Sequence, residues 1–209
     1  MPYGFLDIAA TSAVKAAQEA NGSRQMFEDF DHDRAFDRFT EAEAGFITSR
    51  DSFYMATVSE TGWPYVQHRG GPAGFLRVLD DQTLGFADFL GNRQYISLGN
   101  LSANAHACLF LMDYPSRGRL KIYAHVEAKD LTADPALAAQ LAVPGYRARV
   151  ERGFILRLQA FDWNCQQHIV PRFTQGQIDA ALVPFRAQMA ALEAENAELR
   201  ARLEGYDLS

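Results

Sequence analysis

The sequence is poor in cysteine and lacks the spacings that are typical of metal sites. Its 209 residues include only Cys108 and Cys165, and these do not form a CxxC pair. Two reduced, buried thiols are favoured, although a disulfide between them stays open at this stage. The five histidines, at positions 32, 68, 106, 125 and 168, show no HxxxH or HxH spacing. Because structural zinc sites combine such residues at short regular spacings, we expect no metal site.

Long apolar runs and an excess of positive charge are also missing. No stretch approaches the ~20 apolar residues of a membrane helix, and the N-terminal segment lacks the basic start and apolar core of a signal peptide. The formal net charge of −6 argues against broad affinity for nucleic acids. We therefore expect a cytoplasmic protein that binds neither membranes nor nucleic acids. Walker, GxGxxG and GxSxG motifs are absent, which leaves P-loop, Rossmann and α/β-hydrolase folds without support.

The composition is that of a globular protein, with 48% hydrophobic residues. A chain of this length can bury roughly 70% of its unfolded surface, so it needs no metal or disulfide to be stable. The first fifty residues are helical in character. Residues 13–20 favour a helix, and Thr40 with Glu43 forms a capping box that opens a second helix ending near Ser49.

From residue 51 the pattern changes to short extended segments. The first four are joined by tight turns, so we expect them to form an antiparallel meander. A short helix is predicted at 135–141. A single antiparallel sheet with few helices tends to close on itself, which predicts a mainly β fold with flanking helices (α+β), a six- to seven-stranded antiparallel β-barrel. The predicted strands fall at 53–58, 64–68, 75–79, 84–88, 107–112, 120–128 and 154–161.

The C-terminal part has a different repeat, in steps of four and three residues. This period favours a left-handed coiled coil with Asn196 at an a position, Glu195 at g and Arg200 at the following e. A helix packed on its own barrel is the alternative. Pro184 is expected to start or kink the helix. The predicted parts are thus a helical segment (1–50), a barrel (51–172) and a C-terminal helix (173–209). The repeat comprises Ile178, Leu182, Phe185, Met189, Leu192, Asn196, Leu199 and Leu203.

Polar residues concentrate where the predicted strands end. The strand 84–88 is followed at once by Gly91-Asn92-Arg93 and a helix. Such a junction presents free backbone N–H groups and the positive end of the helix dipole. The Arg93 guanidinium can bind two phosphate oxygens at once. The segment from Gly91 to Tyr95 is therefore a candidate anion site, although Gly-Asn at a helix start is also an ordinary cap.

Arg119 and Lys121 share one face of a predicted strand, because Leu120 and Ile122 point to the other face. Two cations on one face form either a solvated surface or the wall of an anion pocket. Three other strands bring basic or amide groups to comparable positions, which favours the pocket.

Three segments resemble the FMN-binding split barrels related to pyridoxamine 5'-phosphate oxidase. They are 66–72 (VQHRGGP), 84–95 (LGFADFLGNRQY) and 162–169 (DWNCQQHI). The resemblance covers roughly residues 40–175 and points to a subgroup of oxidase-like flavin-nucleotide-binding proteins. It implies a split β-barrel of the FMN-binding type, with FMN bound at the subunit interface of a homodimer.

The resemblance also implies roles for individual residues. Residues 92–94 match the phosphate-binding turn, and Arg77 stands where the oxidases have a lysine. Residues 87–88 match a pair that contacts the ring system, and Arg119 aligns with a glutamine that reaches the flavin. The segment 163–168 would come from the partner subunit, with Trp163 and Gln167 near the isoalloxazine edge. The predicted cofactor-binding residues are Gln67, Arg69, Arg77, Ala87, Asp88, Asn92, Arg93, Gln94, Arg119, Lys121, Trp163 and Gln167.

The sequence departs from the oxidases in three respects. It has no counterpart of their C-terminal arginine motif after Phe161, Gln94 replaces a lysine of the phosphate turn, and residues 69–72 (RGGP) are unlike the oxidase strand. Flavin binding is therefore better supported than vitamin B6 oxidation.

Three functional hypotheses follow. The first is an FMN-dependent oxidoreductase acting on an unknown small molecule, with His68 or His168 as proton relay. The second is a non-catalytic flavin carrier or sensor. The third is a different ligand in the same barrel, such as haem or the deazaflavin F420. Plain structural roles also stay open for His68 in a strand, His168 on the surface and Trp163 in the core.

Overall fold

The computed structural model describes residues 4–27, 37–163 and 166–206. The chain falls into two compact units that divide between His168 and Ile169. The described helices are α1 (Phe5–Ala9), α2 (Ser12–Ala20), α3 (Glu41–Thr48), α4 (Ile96–Ala103), α5 (Pro135–Leu141) and α6 (Gln175–Tyr206), with a 3-10 turn at Arg24–Phe27. The strands are β1 (Ser52–Val58), β2 (Pro64–Gly70), β3 (Arg77–Asp80), β4 (Thr83–Phe89), β5 (His106–Asp113), β6 (Gly118–Lys129) and β7 (Val150–Trp163).

The first unit contains one seven-stranded antiparallel sheet flanked by helices, in the order β2-β1-β5-β6-β7-β4-β3. This confirms the predicted α+β fold class and strand number. In the described part of the chain, β2 and β3 are edge strands and do not pair with each other. The barrel is therefore split and not closed.

The expected meander of the first four strands is wrong. The β1–β2 and β3–β4 hairpins lie at opposite ends of the sheet, because β5, β6 and β7 pair between them. After β2 the chain runs past the start of β1 and does not return along β2. The Gly71 N–H donates to the Asp51 carbonyl at 2.9 Å and the Gly74 N–H to the Arg50 carbonyl at 3.2 Å. This path leads Phe75 into the core, where it is 1% exposed.

The sheet curls around a shared aromatic core. The rings of Phe53 (β1) and Phe86 (β4) meet edge to face with centroids 5.3 Å apart, although their strands are second and sixth in the sheet. Phe75 stacks on Phe53 at 5.6 Å, and Phe154 of β7 contacts Phe86 at 5.3 Å. Strands that are distant in hydrogen-bond order therefore share one interior.

Side chains on the strands alternate between this interior and an outer face. In β6, Leu120 and Ile122 are fully buried, so the predicted alternation is confirmed and Arg119 and Lys121 lie outside. Cys108 of β5 is an outward-facing free thiol. We call the outward-facing side of β1, β2, β5 and β6 the outer face.

Short helices fix the ends of the barrel. The predicted capping box at the start of α3 is present, and the Thr40 N–H donates to Glu43 Oε2 at 2.9 Å. Helix α4 is held against β1 by a buried hydrogen bond from Asn100 Nδ2 to Thr57 Oγ1 at 3.0 Å. That bond fixes the position of the loop that precedes α4.

The second unit contains the single long helix α6. It begins at Gln175, so Pro184 lies inside the helix and does not start it. The alternative expectation, a kink at Pro184, stays a prediction. The apolar residues of its four-three repeat are exposed. Within the described residues, no helix combines the length and the apolar character needed to cross a membrane.

Truncation of Phe86 to alanine should test the shared core. Phe86→Ala removes a ring that contacts three other phenylalanines from three parts of the chain, so we expect a loss of about 3–5 kcal/mol in the free energy of unfolding. Met26→Ala, at a side chain that is 71% exposed, should change it by no more than about 0.5 kcal/mol. Urea denaturation of both variants measures the difference, and similar losses would contradict the assignment of Phe86 to the core.

Candidate anion site

The loop between β4 and α4 carries an uncommon backbone conformation. Two of its residues that are not glycine lie in the left-handed region, Arg93 with φ 63° and Tyr95 with φ 54°. Such conformations cost on the order of 1–3 kcal/mol each and persist only where the surroundings enforce them. They are concentrated at ligand and active sites, which makes residues 91–95, here called the 91–95 loop, a candidate site on backbone geometry alone.

Hydrogen bonds hold the 91–95 loop open at the start of α4. The Gln94 N–H donates to Asn92 Oδ1 at 3.1 Å, and the Tyr95 hydroxyl donates to Glu151 Oε1 of β7 at 2.9 Å. Tyr95 is the N-cap of α4 and its side chain does not cap the helix. The first-turn N–H groups of α4 therefore have no side-chain acceptor at the cap and are available to an anion.

A cavity of about 180 Å³ lies against this loop. Six of the predicted cofactor-binding residues line it, so the structure brings them together: Gln67, Arg69, Asp88, Asn92, Arg93 and Gln94. Its walls come from β2, from the end of β4, from the segment 91–98 and from β7.

An ion-pair cluster forms the floor of the cavity. Arg69 Nη1 of β2 donates to Asp88 Oδ1 of β4 at 2.6 Å, and Arg152 Nε of β7 lies 3.6 Å from Asp88 Oδ2. The Asp88 side chain is buried, and burial raises its pKa, while the charges of Arg69 and Arg152 lower it and offset only part of this effect. Arg152 also pairs with Glu151 at 3.3 Å. Most of the charge on Arg69 and Arg152 is thus balanced by carboxylates.

Arg93 differs from these arginines. It is exposed, lines the cavity and forms no ion pair with a carboxylate in the described part of the chain. The neighbouring Tyr95 side chain and, to a smaller extent, the Glu151 carboxylate raise the pKa of the Arg93 guanidinium. Arg93 is therefore the cation that the site presents to a ligand.

Two further polar atoms of cavity-lining residues lack a hydrogen-bond partner in the described structure. They are Arg69 Nε and Ser97 Oγ, and both are buried. Buried polar groups without a partner are uncommon, since each costs about 1–3 kcal/mol. Both belong to side chains that can donate to an anion, so the residues present fit a phosphate-bearing ligand.

The remaining predicted cofactor residues of the strands lie away from this cavity. Arg77 Nη2 donates to the Ala142 carbonyl at 2.8 Å, and Ala87 is buried against the α5 side of the sheet. Lys121 on the outer face pairs with Asp162 at 2.8 Å and lies 4.4 Å from the Phe5 ring centroid of α1. Arg119, also on the outer face, lies 5.9 Å from the Phe110 ring centroid. A single chain therefore does not bring all of the predicted cofactor-binding residues together at this cavity.

The segment after β7 is only partly described. Trp163 Nε1 donates to Glu43 Oε1 at 2.8 Å, and its ring meets Phe46 edge to face at 4.7 Å. Gln167 and His168 are exposed, and His168 has φ 62°. Asn164 and Cys165, which contribute to the resemblance, lie outside the described residues, as does His32.

The predicted proton relays are not part of the cavity wall. His68 alternates with Gln67 and Arg69 along β2, so it lies on the outer face, where its ring meets Tyr54 at 5.6 Å. The described residues contain no group of three His, Cys, Asp or Glu side chains that could hold a metal ion.

Sequence reasoning missed four residues of the site. Tyr65 has the same strand alternation as Gln67 and Arg69, and its hydroxyl donates to Gln67 Oε1, so period-two spacing could have found it. Glu151 and Arg152 precede the predicted start of the last strand at residue 154, whereas β7 begins at Val150, so they fall outside the predicted strand. No sequence signal pointed to Ser97.

Comparison with known proteins places the chain in a family. The family model of pyridoxamine 5'-phosphate oxidase matches residues 39–155, which is more than half of the chain and includes the 91–95 loop. The chain belongs to this family, as the resemblance of its sequence segments suggested. No curated protein sequence matches it significantly.

Several solved structures are similar to this chain at low identity. One is an FMN-binding protein from Syntrophomonas wolfei, with 13% identity, coverage of 70% of this chain and 97% of that chain, and a TM-score of 0.46. A second is a Clostridium acetobutylicum protein of the pyridoxinephosphate oxidase family, related to general stress protein 26. It has 14% identity, the match covers 66% of this chain and 94% of that chain, and the TM-score is 0.44. A third is HupZ from Group A Streptococcus, with 14% identity, coverage of 65% of this chain and 100% of that chain, and a TM-score of 0.45. Values this low carry no conclusion about ligand or activity.

The bond between Trp163 and Glu43 predicts a pH-dependent stability. Burial raises the pKa of Glu43, but hydrogen bonds from Thr40 and Trp163 together outweigh this and lower it. A lowered folded pKa stabilises the fold above the unfolded pKa of about 4.3, and this contribution is lost as the pH falls through the folded pKa. Glu43→Gln should therefore lower the free energy of unfolding near pH 7, by about 1 kcal/mol, and the gap to wild type should close towards pH 3.

Chemical denaturation of both proteins between pH 3 and pH 7 measures this gap. The matched control is Glu41→Gln, at an exposed carboxylate in the first turn of the same helix, for which we expect a small effect at every pH. A gap for Glu43→Gln that stays constant across the range would contradict the assigned role of its charge.

Proposed function

We propose that the chain binds FMN, with the phosphate held by the 91–95 loop at the start of α4. The observation that carries this proposal is the cavity beside the loop, where two strained residues, an uncapped helix start and the guanidinium of Arg93 meet. This guanidinium has no carboxylate ion-pair partner among the described residues. These are the features that bind a phosphate: N–H groups that converge, a positive helix end and a bidentate cation. Membership of the pyridoxamine 5'-phosphate oxidase family supports the same ligand.

The size of the cavity indicates which part of the nucleotide it can accept. At about 180 Å³ it is smaller than the ~300–1,000 Å³ typical of sites that enclose a drug-sized ligand. It has room for the phosphate and the adjoining part of the ribityl chain. The isoalloxazine ring then needs a second surface outside the cavity.

A second copy of the chain would supply that surface. Part of the predicted cofactor set, including Arg119 and Lys121, lies on the outer face and not at the cavity. The outer face also exposes large apolar side chains on β1 and β2, among them Val58 at 38% and Val66 at 59%. Exposed apolar patches of this kind are typical of interaction surfaces. We therefore include a homodimer in the proposal, with the flavin between the cavity of one chain and the outer face of the other.

The proposed activity is that of an FMN-dependent oxidoreductase acting on a small organic substrate. Bound FMN supplies hydride and electron transfer, and the protein supplies binding, orientation and charge. In this arrangement Arg119 on the outer face is the cation that would stabilise negative charge at the ring. His68, exposed on the outer face, is the side chain placed to move a proton between ring and solvent.

A flavin carrier or sensor without turnover is the second candidate. The lining of the cavity includes no histidine or cysteine within the described residues, and Asp88 is engaged with two arginines. Glu151, the other carboxylate of the lining, is engaged with Arg152 and Tyr95. This observation favours binding without chemistry unless the outer face of the second chain contributes the reacting groups.

The phosphate site is tested by removing the Arg93 side chain. Arg93→Ala should raise the Kd for FMN by about 10- to 100-fold, as expected for a lost charge-assisted hydrogen-bond pair. The Kd for riboflavin, which has no phosphate, should hardly change. Arg38→Ala removes the same charge near Asp81, at the opposite end of β4, and should leave both values unaltered. Quenching of flavin fluorescence on titration provides the measurement.

Equal losses for FMN and riboflavin would contradict the assignment of Arg93 to the phosphate. A wild-type protein that stays colourless after incubation with FMN would overturn the proposal, and the absorbance spectrum of any copurified ligand would distinguish FMN from haem or F420. Steady-state transfer of electrons from NADH or NADPH to oxygen or a dye separates the oxidoreductase from the carrier. Tight FMN binding without such turnover supports the carrier.

The composite site is tested by mixing two defective chains. In a homodimer with the flavin at the interface, Arg93→Ala damages one wall of a site and Arg119→Ala the opposite wall. A dimer that contains one chain of each kind has one intact site, so random mixing should restore FMN binding to about a quarter of the sites. Titration of the co-refolded mixture with FMN measures this fraction. No recovery above the two separate variants would show that each site belongs to a single chain.

A further inference from the structure

The apolar side chains of α6 are exposed along its whole length. At about 1.5 Å per residue, its 32 residues extend over about 48 Å. The apolar members of the four-three repeat are between 39% and 66% exposed, Leu182 being the least and Leu203 the most. Helices in proteins are stabilised mainly by packing of their apolar side against other parts of the structure. We therefore expect these apolar side chains, here called the apolar stripe of α6, to pack against a partner.

The spacing of the stripe defines the kind of partner. Steps of four and three residues repeat without interruption, and they keep the apolar side chains on one seam only when two helices supercoil left-handedly. With Leu192 and Leu199 at d positions, Leu182, Met189, Asn196 and Leu203 fall at a. Pro184 then falls at c, outside the seam, and α6 continues through it.

We propose that α6 pairs with α6 of a second copy of this chain, as a parallel, in-register two-stranded coiled coil. Asn196 favours this arrangement over an antiparallel one. In a parallel pair the a positions face each other, so the two Asn196 amides can bond across the seam. In an antiparallel pair an a residue faces a d residue, and the buried amide would meet an apolar side chain such as Leu199 without a partner.

Charges beside the seam are complementary to a second copy of the same helix. Glu195 occupies g and Arg200 the following e position, and in a parallel dimer these two positions of opposite chains are neighbours. The two-fold symmetry of the pair gives this Glu195–Arg200 contact twice. The side of the helix opposite the seam is built of alanines at 187, 194 and 201, which offer little apolar area to a third chain.

Disulfide trapping in the full-length protein tests the register. Leu199→Cys places a thiol at a d position, where its own copy in a parallel, in-register partner is the nearest residue. Ala201→Cys, at the f position on the far side, is the matched control. We expect oxidation to cross-link Leu199→Cys at least ~10-fold faster than Ala201→Cys, because only the seam gives a high effective concentration. Wild type shows the background from Cys108 and Cys165.

This comparison does not depend on whether the first unit also dimerises. Two tails that are merely held near each other would cross-link at 199 and 201 at similar rates, and that result would overturn the proposal. No cross-link at either position would overturn it as well. A large excess of wild-type chain, which has no cysteine at 199, should pair with the Leu199→Cys chain and abolish its cross-linking. This loss would confirm that the partner is a second copy.

Charge exchange gives an independent test of the parallel orientation. In the Leu199→Cys background, Glu195→Arg should place two arginines together and slow cross-linking, and Arg200→Glu should do the same with two glutamates. The double variant restores opposite charges in a parallel pair, so cross-linking should return to about the starting rate. In an antiparallel pair Glu195 and Arg200 have other neighbours, and the double variant would not recover. Failure of recovery would therefore overturn the parallel pairing.

Discussion

The contact between Arg69 and Asp88 joins the two ends of an open sheet. Arg69 lies in β2, the first strand in hydrogen-bond order, and Asp88 lies in β4, the sixth. Their atoms approach to 2.6 Å, while the Asp88 residue is only 6% exposed. A carboxylate at that depth without its cation would be strongly unfavourable, since desolvation would not be compensated. The Arg69 guanidinium also lies 5.5 Å from the Phe154 ring centroid, so the ion pair is packed onto the aromatic core beneath it.

The contact between Arg69 and Asp88 determines where the candidate anion site lies. Because β2 and β4 are drawn together, Gln67 and Arg69 face the end of β4, where the chain leaves the sheet and enters the 91–95 loop. Helix α4 is then fixed by the Asn100–Thr57 bond to β1, and the loop is fixed by the Tyr95–Glu151 bond to β7. Attachment at both ends provides the surroundings that can sustain left-handed backbone at Arg93 and Tyr95. Tertiary contacts with β1 and β7 thus hold the strained loop in place.

Features that depend on neighbouring residues could be predicted from the sequence. The capping box of Thr40 and Glu43, the bounds of α5 and the alternation of Leu120 and Ile122 follow from local propensity and period. Strand order did not follow, because the pairing of β1 with β5 joins residues that are distant in sequence, and turn signals describe only consecutive strands. The residues of the candidate site also separate into those with a local sequence signal and those without one. The 91–95 loop was predicted because its signal is contiguous. Ser97 follows this loop in the first turn of α4 and carries no signal of its own, whereas Glu151 of β7 reaches the cavity through the tertiary fold.

The division of the predicted cofactor residues between two surfaces links binding to assembly. In the proposed homodimer, the cavity of one chain and the outer face of the other contact the same flavin, so the ligand binds the dimer more tightly than the single chain. Linkage is reciprocal, and whatever favours the dimer must strengthen flavin binding by the same factor. Pairing of α6 would favour the dimer, because it raises the effective concentration of one barrel near the other. It would thereby strengthen flavin binding without contacting the ligand. A helix outside the family's shared barrel would then set the protein concentration at which the flavin site is complete.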